Sequence, residues 1–232
     1  MALIDEYVSD NYIQHSPTVK DGKAGLLEMI EFLKKIPRTG EPRSPIVRTI
    51  ADGDLVAVHL DVAFMGKRIA VVDIFRVEDG KLAEHWDAAQ EYPANMETGI
   101  TVTNGAAVIE YIQATEANKK LVKTFCTELF ENRNVPAALN FLSPNYIEHI
   151  LEALLNKETG VDFLTARLQW SAIKVHWVLG EGNFTVVQSE GIKEGCVFVF
   201  YDIFRIESNT IAEHWCVEQK IPAAMAHSNG MI

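Results

Sequence analysis

Cysteine is scarce. Three residues, Cys126, Cys196 and Cys216, stand far apart with no CxxC pair, which gives neither a disulfide framework nor a zinc-binding pattern and fits a reducing, cytoplasmic setting. Long apolar runs are missing too. The longest, such as Ile69–Val72 and Cys196–Tyr201, are far too short to cross a bilayer, and the opening MALIDEYVSD has no basic region followed by an apolar one to mark export. Positive charge is in deficit, with 21 Lys and Arg against 32 Asp and Glu and a net charge of −11. Such a chain repels phosphate backbones, and its densest basic stretch, Lys119–Lys123, is short and lies on a helical pattern. Nucleic acid and membrane are therefore not expected partners. Proline is sparse, 8 in 232 residues, and with 48% hydrophobic content the chain can bury one large core or two small ones.

A repeat decides for two. DIFRVEDGKLAEHWDAAQEYPANM, Asp73–Met96, returns as DIFRIESNTIAEHWCVEQKIPAAM, Asp202–Met225, without a gap and at a constant offset of 129 residues, 202 against 73. Two long segments aligned in one order imply a tandem duplication, with one domain over 1–103 and a second over 104–232, each near the usual domain size. Thr98–Thr103 with Asn104-Gly105 lacks an amphipathic pattern and reads as the linker. Within the copy, Asp87 becomes Cys216.

Along each half the hydrophobic period changes from about 3.6 to about 2. Leu3, Ile4, Tyr7 and Val8 suggest a short helix. Gly25–Ile36 reads as an amphipathic helix stopped by Pro37, and Pro42 and Pro45 keep the next stretch a loop. From Ile46 a strand meander begins and runs to Ala89. In the second half Ala106–Ile112 and Asn118–Glu131 read as helices, the latter with Leu121, Phe125 and Leu129 on one stripe. A short helix over Pro136–Leu142, another over Thr159–Gln169 and strands over Ile173–Gln219 follow. Helices first and antiparallel strands afterwards make an α+β pattern. Aligning Tyr12-Ile-Gln-His15 with Tyr146-Ile-Glu-His149 shows that the first copy lacks its N-terminal helix, the counterpart of Asn118–Glu131. Its sheet is left with an uncovered flank, to be covered by Ala106–Ile112 or by a second protomer.

Strand alternation places Ala83, His85 and Asp87 on one face and Leu82, Glu84 and Trp86 on the other. A two-residue loop at Asp79-Gly80 would pair Asp73 with Trp86, whereas a three-residue loop, Glu78–Gly80, pairs it with His85. The three-residue loop is favoured, and it gathers Asp73, His85 and Asp87 over an apolar wall of Phe75 and Val71. A carboxylate among Phe, Val and Trp side chains loses hydration, which raises its pKa and makes Asp87 a candidate general base. Tyr12, His15, His59 and Gln90 are candidate hydrogen-bond donors to a substrate oxygen. Each has a plainer reading. Asp73 can serve as an acceptor for His85 or a backbone N–H, Trp86 and Trp215 are core anchors, and His15 can close the Ser16-Pro17 turn. With no His-x-His or His-x3-His spacing in this region, no metal is expected.

The stretches YIQHSPTVKDGKAG (Tyr12–Gly25), HLDV (His59–Val62) and VVDIFRVEDGKLAEHWDAAQ (Val71–Gln90) resemble the SnoaL-like proteins, the polyketide-cyclase branch of the NTF2-like, cystatin-like α+β fold. The second half resembles them as well, from NKKLVKTFCTELF (Asn118–Phe130) to the SNGMI ending. The resemblance implies helices against a curved antiparallel sheet, with a pocket at one end. It also implies cyclase chemistry akin to aldolases, in which a carboxylate removes a carbon-bound proton and the enolate closes a ring without metal or organic cofactor. Asp87 matches the family's catalytic aspartate in position. The expected activity is that of a cyclase, isomerase or aldol-type enzyme working on a small hydrophobic or carbonyl-containing ligand, with its site in the first half and a degenerate second half. The alternative is a non-catalytic binding or dimerisation module, since the fold hosts both. Family members commonly pair through their sheets, so the resemblance further implies an intramolecular pseudo-dimer, or a homodimer.

Overall fold

The computed structural model describes residues 2–36, 44–94, 99–156, 159–167 and 169–232. The loop expectation at Pro37 and Pro42, the end of the first repeat at Met96 and the linker start at Thr98 lie outside these residues.

Each half forms one five-stranded sheet. The first contains β1 (Val8–Gln14), β2 (Ile46–Asp52), β3 (Leu55–Phe64), β4 (Lys67–Glu78) and β5 (Lys81–Tyr92), in the order β1-β5-β4-β3-β2. The second contains β6 (Leu142–Glu148), β7 (Ser171–Glu181), β8 (Phe184–Lys193), β9 (Cys196–Glu207) and β10 (Thr210–Lys220), in the equivalent order β6-β10-β9-β8-β7. The duplication read from the repeat is thus a duplication of topology. Both sheets are mixed, which corrects the expectation of a purely antiparallel sheet: β1 and β6 run parallel to β5 and β10. These two edge strands were not anticipated because each is short and carries a mixed pattern, VSDNYIQ and LSPNYIE, without clean alternation.

Two-residue turns close the hairpins. At Asp79-Gly80 both central residues have positive φ, 52° and 76°, the type I′ geometry whose twist matches that of the flanking strands. The copy at Ser208-Asn209 reaches the same conformation, with φ 50° and 62°. The three-residue loop favoured from the sequence is therefore not formed. A β-bulge at Ala83 shifts the register instead, so Asp73 pairs with Asp87 and Phe75 with His85. One extra residue restores the facing that the longer loop would have given.

The helices lie on one side of each sheet. In the second half α3 (Thr115–Cys126) buries Leu121, Val122, Phe125 and Cys126, then continues as a π-helical turn over Thr127–Glu131 that buries Leu129. This stripe joins Phe200, Phe204, Ile211 and Cys216 of the sheet in one core. The shorter helices α4 (Val135–Leu139), α5 (Leu151–Asn156) and α6 (Gly160–Arg167) complete the cover. The first half has α1 (Ala2–Tyr7), which precedes β1 as α4 precedes β6, and α2 (Gly22–Leu33), which packs on β1. Nothing among the described residues corresponds to α3. The result can be read position by position at the offset of 129. Val56, Val58, Leu60 and Val62 of β3 are partly exposed, while Thr185, Val187, Ser189 and Gly191 of β8 are buried.

The opposite faces of the two sheets pack together into a single core containing Ile50, Val72, Ile74, Trp86, Val186, Tyr201, Ile203 and Trp215. β5 lies against β10, and β2 against β7. Trp177 of β7 sets its ring edge against Trp86 with centroids 4.4 Å apart, and Arg48 of β2, at the equivalent position, stacks over Trp215 at 4.0 Å. Each half thus caps the other's tryptophan. Contrary to expectation, Ala106–Ile112 is irregular up to Tyr111, and only Ile112 enters a 3-10 turn. It runs as an irregular strap along this seam, held where Ala106 O accepts from Arg48 Nε at 3.1 Å and Glu110 O accepts from Asn183 N at 2.9 Å. It therefore does not cover the open flank of the first sheet. No helix among the described residues is long and apolar enough to cross a membrane.

Candidate functional site

On the helix side of the first sheet, β4 and β5 present Asp73, Phe75, His85 and Asp87 as two directly opposed pairs. The rings of Phe75 and His85 stack with centroids 4.6 Å apart. His85 Nε2 lies 3.2 Å from Asp73 Oδ1, and His85 Nδ1 lies 2.9 Å from Gln14 Oε1. Tyr12, on the parallel strand β1, accepts a hydrogen bond from Gln14 Nε2 at 3.3 Å, which leaves its own O–H free to donate elsewhere. Burial, reinforced by the charges of Asp73 and Asp87, holds the Tyr12 phenol above its ordinary pKa, so it stays a neutral donor through the physiological range.

Asp87 is the group with unused capacity. Its Oδ1 is buried and has no hydrogen-bond partner. Burial raises its pKa above the ordinary carboxylate value and Asp73 adds to the rise, while His85 and Ser16 act in the opposite direction. A desolvated carboxylate with a free lone pair is a stronger proton acceptor than one in water. The side chain as a whole keeps partial access to solvent.

Three residues expected at this site lie elsewhere. His59 projects from the opposite face of β3 and is completely buried between the sheets, where its Nδ1 lies 2.6 Å from Arg48 Nη1. Burial, with Arg48 and His149 nearby, pushes its pKa well below the imidazole range. Gln90, three positions from Asp87, shares the face of Trp86 and Ala88, and so points away from it. His15 crosses to the seam, where it stacks on Trp86 at 4.7 Å between Glu84 Oε1 at 2.8 Å and the Gly230 carbonyl at 3.0 Å. The structural reading of His15 as a turn residue was closer, although the partner it anchors is the C-terminal tail. Gln90 falls on the far face by the same alternation that groups His85 with Asp87, whereas the places of His15 and His59 depend on β1 and on which face of β3 meets the second half.

Gln14 and Ser16 were not anticipated. Gln14 is fully buried and joins Tyr12 to His85. The signal was available in the spacing, since Tyr12 and Gln14 stand two apart as on a strand, but that segment carries no other strand pattern. The structure also places one ligand atom each of Asp73, His85 and Asp87 within 4.8 Å of one another, a group that could hold a metal ion. His spacing is no criterion for such a group, which takes one histidine and one carboxylate from β5 and a second carboxylate from β4.

The second half shows what the same face becomes when closed. Asp202 pairs with Arg167 of α6 and with His214 Nε2 at 3.0 Å, and all three are buried. Despite burial, Arg167 and His214 hold the Asp202 carboxyl well below the usual range. Glu148 stands where Gln14 does and meets His214 Nδ1 at 3.1 Å. Burial opposes charge on His214, yet Glu148 and Asp202 raise its pKa. Cys216, opposite Asp202, is buried, and its thiol is pushed far up by burial and by the Asp202 charge. It is not a thiolate nucleophile.

Residues 1–85 match the family model of the SnoaL-like domain. The match includes Asp73 and His85 and stops two residues short of Asp87. Among solved structures, a "putative ketosteroid isomerase" from Kribbella flavida is 13% identical, with 46% of this chain and 80% of that one covered and a TM-score of 0.38. An NTF2-like protein of unknown function from Cytophaga hutchinsonii is 16% identical, with 50% and 95% covered and a TM-score of 0.37. IdmH, a "putative polyketide cyclase" from Streptomyces antibioticus, is 13% identical, with 44% and 91% covered and a TM-score of 0.33. No curated protein matches. The first half of the chain is therefore similar to the SnoaL-like domain over residues 1–85, and the second half repeats its sheet in the same strand order.

Proposed function

We propose that the first half is an enzyme acting on a small carbonyl compound, and that Asp87 removes a carbon-bound proton to give an enolate in a cyclisation, isomerisation or aldol-type step. The observation that carries this reading is the Asp87 carboxylate. It is desolvated, has an unpartnered oxygen and a raised pKa, and lies beside the hydrogen-bonded Asp73–His85–Gln14–Tyr12 chain. Phe75 and Val71 supply the apolar wall on the same face. Tyr12, whose oxygen already accepts from Gln14, offers its O–H to the developing enolate oxygen. Such a donor acts where charge appears in the transition state and gains strength from the low local dielectric. The SnoaL-like match supports this class of chemistry without identifying the substrate.

The test separates binding from proton transfer. A neutral phenol stands in for the planar enol and is titrated calorimetrically into wild type and Asp87→Asn. The variant is expected to keep its affinity within a few-fold while losing about 10²- to 10⁴-fold in proton-abstraction rate. If the folded variant loses binding, Asp87 is a ligand contact and not a base. If both proteins bind the phenol and neither abstracts a proton, the half is a binding module.

A further inference from the structure

The two halves differ at one buried position whose consequence reaches the central histidine. We propose that Gln14 is a positioning residue that fixes the proton of His85 on Nδ1, and that its replacement by a glutamate in the second half turns the equivalent histidine into a fixed cation. The inference rests on the first-half reading for its effect on turnover; its structural content can be read without any activity.

Ser16 N–H can only donate, and it meets Gln14 at 2.8 Å, so the Gln14 atom there is the carbonyl oxygen. The amide nitrogen consequently lies on the other side, where it donates to Tyr12 O at 3.3 Å. The amide cannot flip without losing both bonds. Because the same Gln14 oxygen faces His85 Nδ1 at 2.9 Å, that ring nitrogen must carry a hydrogen. In neutral His85, Nε2 is then a bare lone pair, 3.2 Å from Asp73 Oδ1. Gln14 N also donates to Asp21 Oδ1 at 3.0 Å, which ties β1 to the residue before α2.

In the second half a carboxylate takes the place of the amide. Glu148 Oε1 accepts from the backbone amides of His149 and Ile150 at 2.9 and 3.1 Å, and Tyr146 O–H donates to Oε2 at 2.5 Å. His214 is thereby sandwiched between two carboxylates, Glu148 and Asp202. Both nitrogens must donate, and the imidazolium is a permanent member of a buried network that includes Arg167. The charged and titratable groups facing His85 are Asp73, Asp87 and Tyr12, with Asp21 and His227 beyond them. The amide at position 14 is thus a neutral partner where the second half has a charged one.

The test is long-range ¹H–¹⁵N NMR of the histidine rings in the uniformly labelled full chain, with His85 and His214 assigned by loss of their signals in His85→Gln and His214→Gln. Wild-type His85 is expected to show the Nδ1–H tautomer in its neutral form. Gln14→Glu is expected to raise the His85 midpoint by about one pH unit or more, and Glu148→Gln to lower that of His214. A wild-type Nε2–H tautomer at His85 overturns the proposal even if Gln14→Glu does not fold, and so does an unmoved His85 midpoint in folded Gln14→Glu. Under the base reading, Gln14→Glu also depresses the rate at neutral pH. If the NMR results hold and wild type abstracts no proton, Gln14's role stands and the base reading fails.

Discussion

At the scale of single residues, Asp87 and Cys216 occupy equivalent positions in opposite states. Asp87 keeps a buried, unpartnered oxygen on a partly open face, whereas Cys216 is sealed beneath α3. Because the fold raises the Asp87 pKa, it favours the protonated form. The associated stability is present at acid pH and is lost as pH rises through the raised value. Asp87→Asn is therefore expected to melt at or above the wild-type temperature at pH 7, measured by calorimetry, while losing activity. Asp202 has the opposite sign. Its pKa is lowered, so its contribution is present above the ordinary carboxylate range and is lost as pH falls through and below it. Removing its guanidinium partner by Arg167→Ala should cost about 3–5 kcal/mol in urea unfolding at neutral pH, since the buried carboxylate keeps only His214 against its charge. Asp202→Asn should flatten the acid limb of the stability profile. The common face of His85 and Asp87 was legible from strand period alone, and Asp73 joined it through the turn. Gln90 falls on the opposite face by the same period, whereas the places of His15 and His59 depend on β1 and on which sheet face meets the other half.

At the scale of elements, the informative feature is the hairpin β4–β5. Its Asp79-Gly80 turn was legible as a turn, but its length was not, because a two-residue turn plus a bulge and a three-residue loop leave the same side chains on one face. The bulge at Ala83 has no sequence signal: the residue is small and buried, and its copy at Ala212 is bulged in the same way. Helix α3 shows the reverse case. Its apolar stripe was legible at once, because spacing of 3.6 requires no knowledge of partners. Phe125 sits within that stripe, edge-on to Phe204 at 5.6 Å and to Phe141 at 6.2 Å. Phe125→Ala should destabilise the chain by about 3–5 kcal/mol in chemical denaturation. The strap after the linker was misread because Ala106–Ile112 is apolar without being amphipathic, and its polar backbone is satisfied by Arg48 and Asn183 rather than by a helix.

At the scale of the whole molecule, the duplication has produced two halves that complete each other. The seam buries Trp86 and Trp215 and threads a strap through each side. Thr101–Ala106 lies against His149, Glu213 and Trp215, and Ala226–Gly230 lies against Gln14, His15, Ser16 and Pro17. A half expressed alone would expose the face that carries Ile50, Val72 and Ile74 or its counterpart. Residues 1–103 and 104–232 made separately are expected to lack a cooperative thermal transition or to self-associate, as read by circular dichroism with light scattering, whereas the intact chain melts once. With the seam shared, the halves are free to differ on their outer faces: the second is filled by α3 and the Arg167 network, and the first remains open around Asp87. The measurement that tests this asymmetry most directly is hydrogen–deuterium exchange at the acidic carbon of a neutral 1,3-diketone, followed by NMR in D2O with wild type, Asp87→Asn and Cys216→Ser. The account predicts exchange above the buffer rate for wild type, a loss of about 10²- to 10⁴-fold for Asp87→Asn, and an unchanged rate for Cys216→Ser. Equal rates for wild type and Asp87→Asn, or loss of exchange in Cys216→Ser alone, would contradict it.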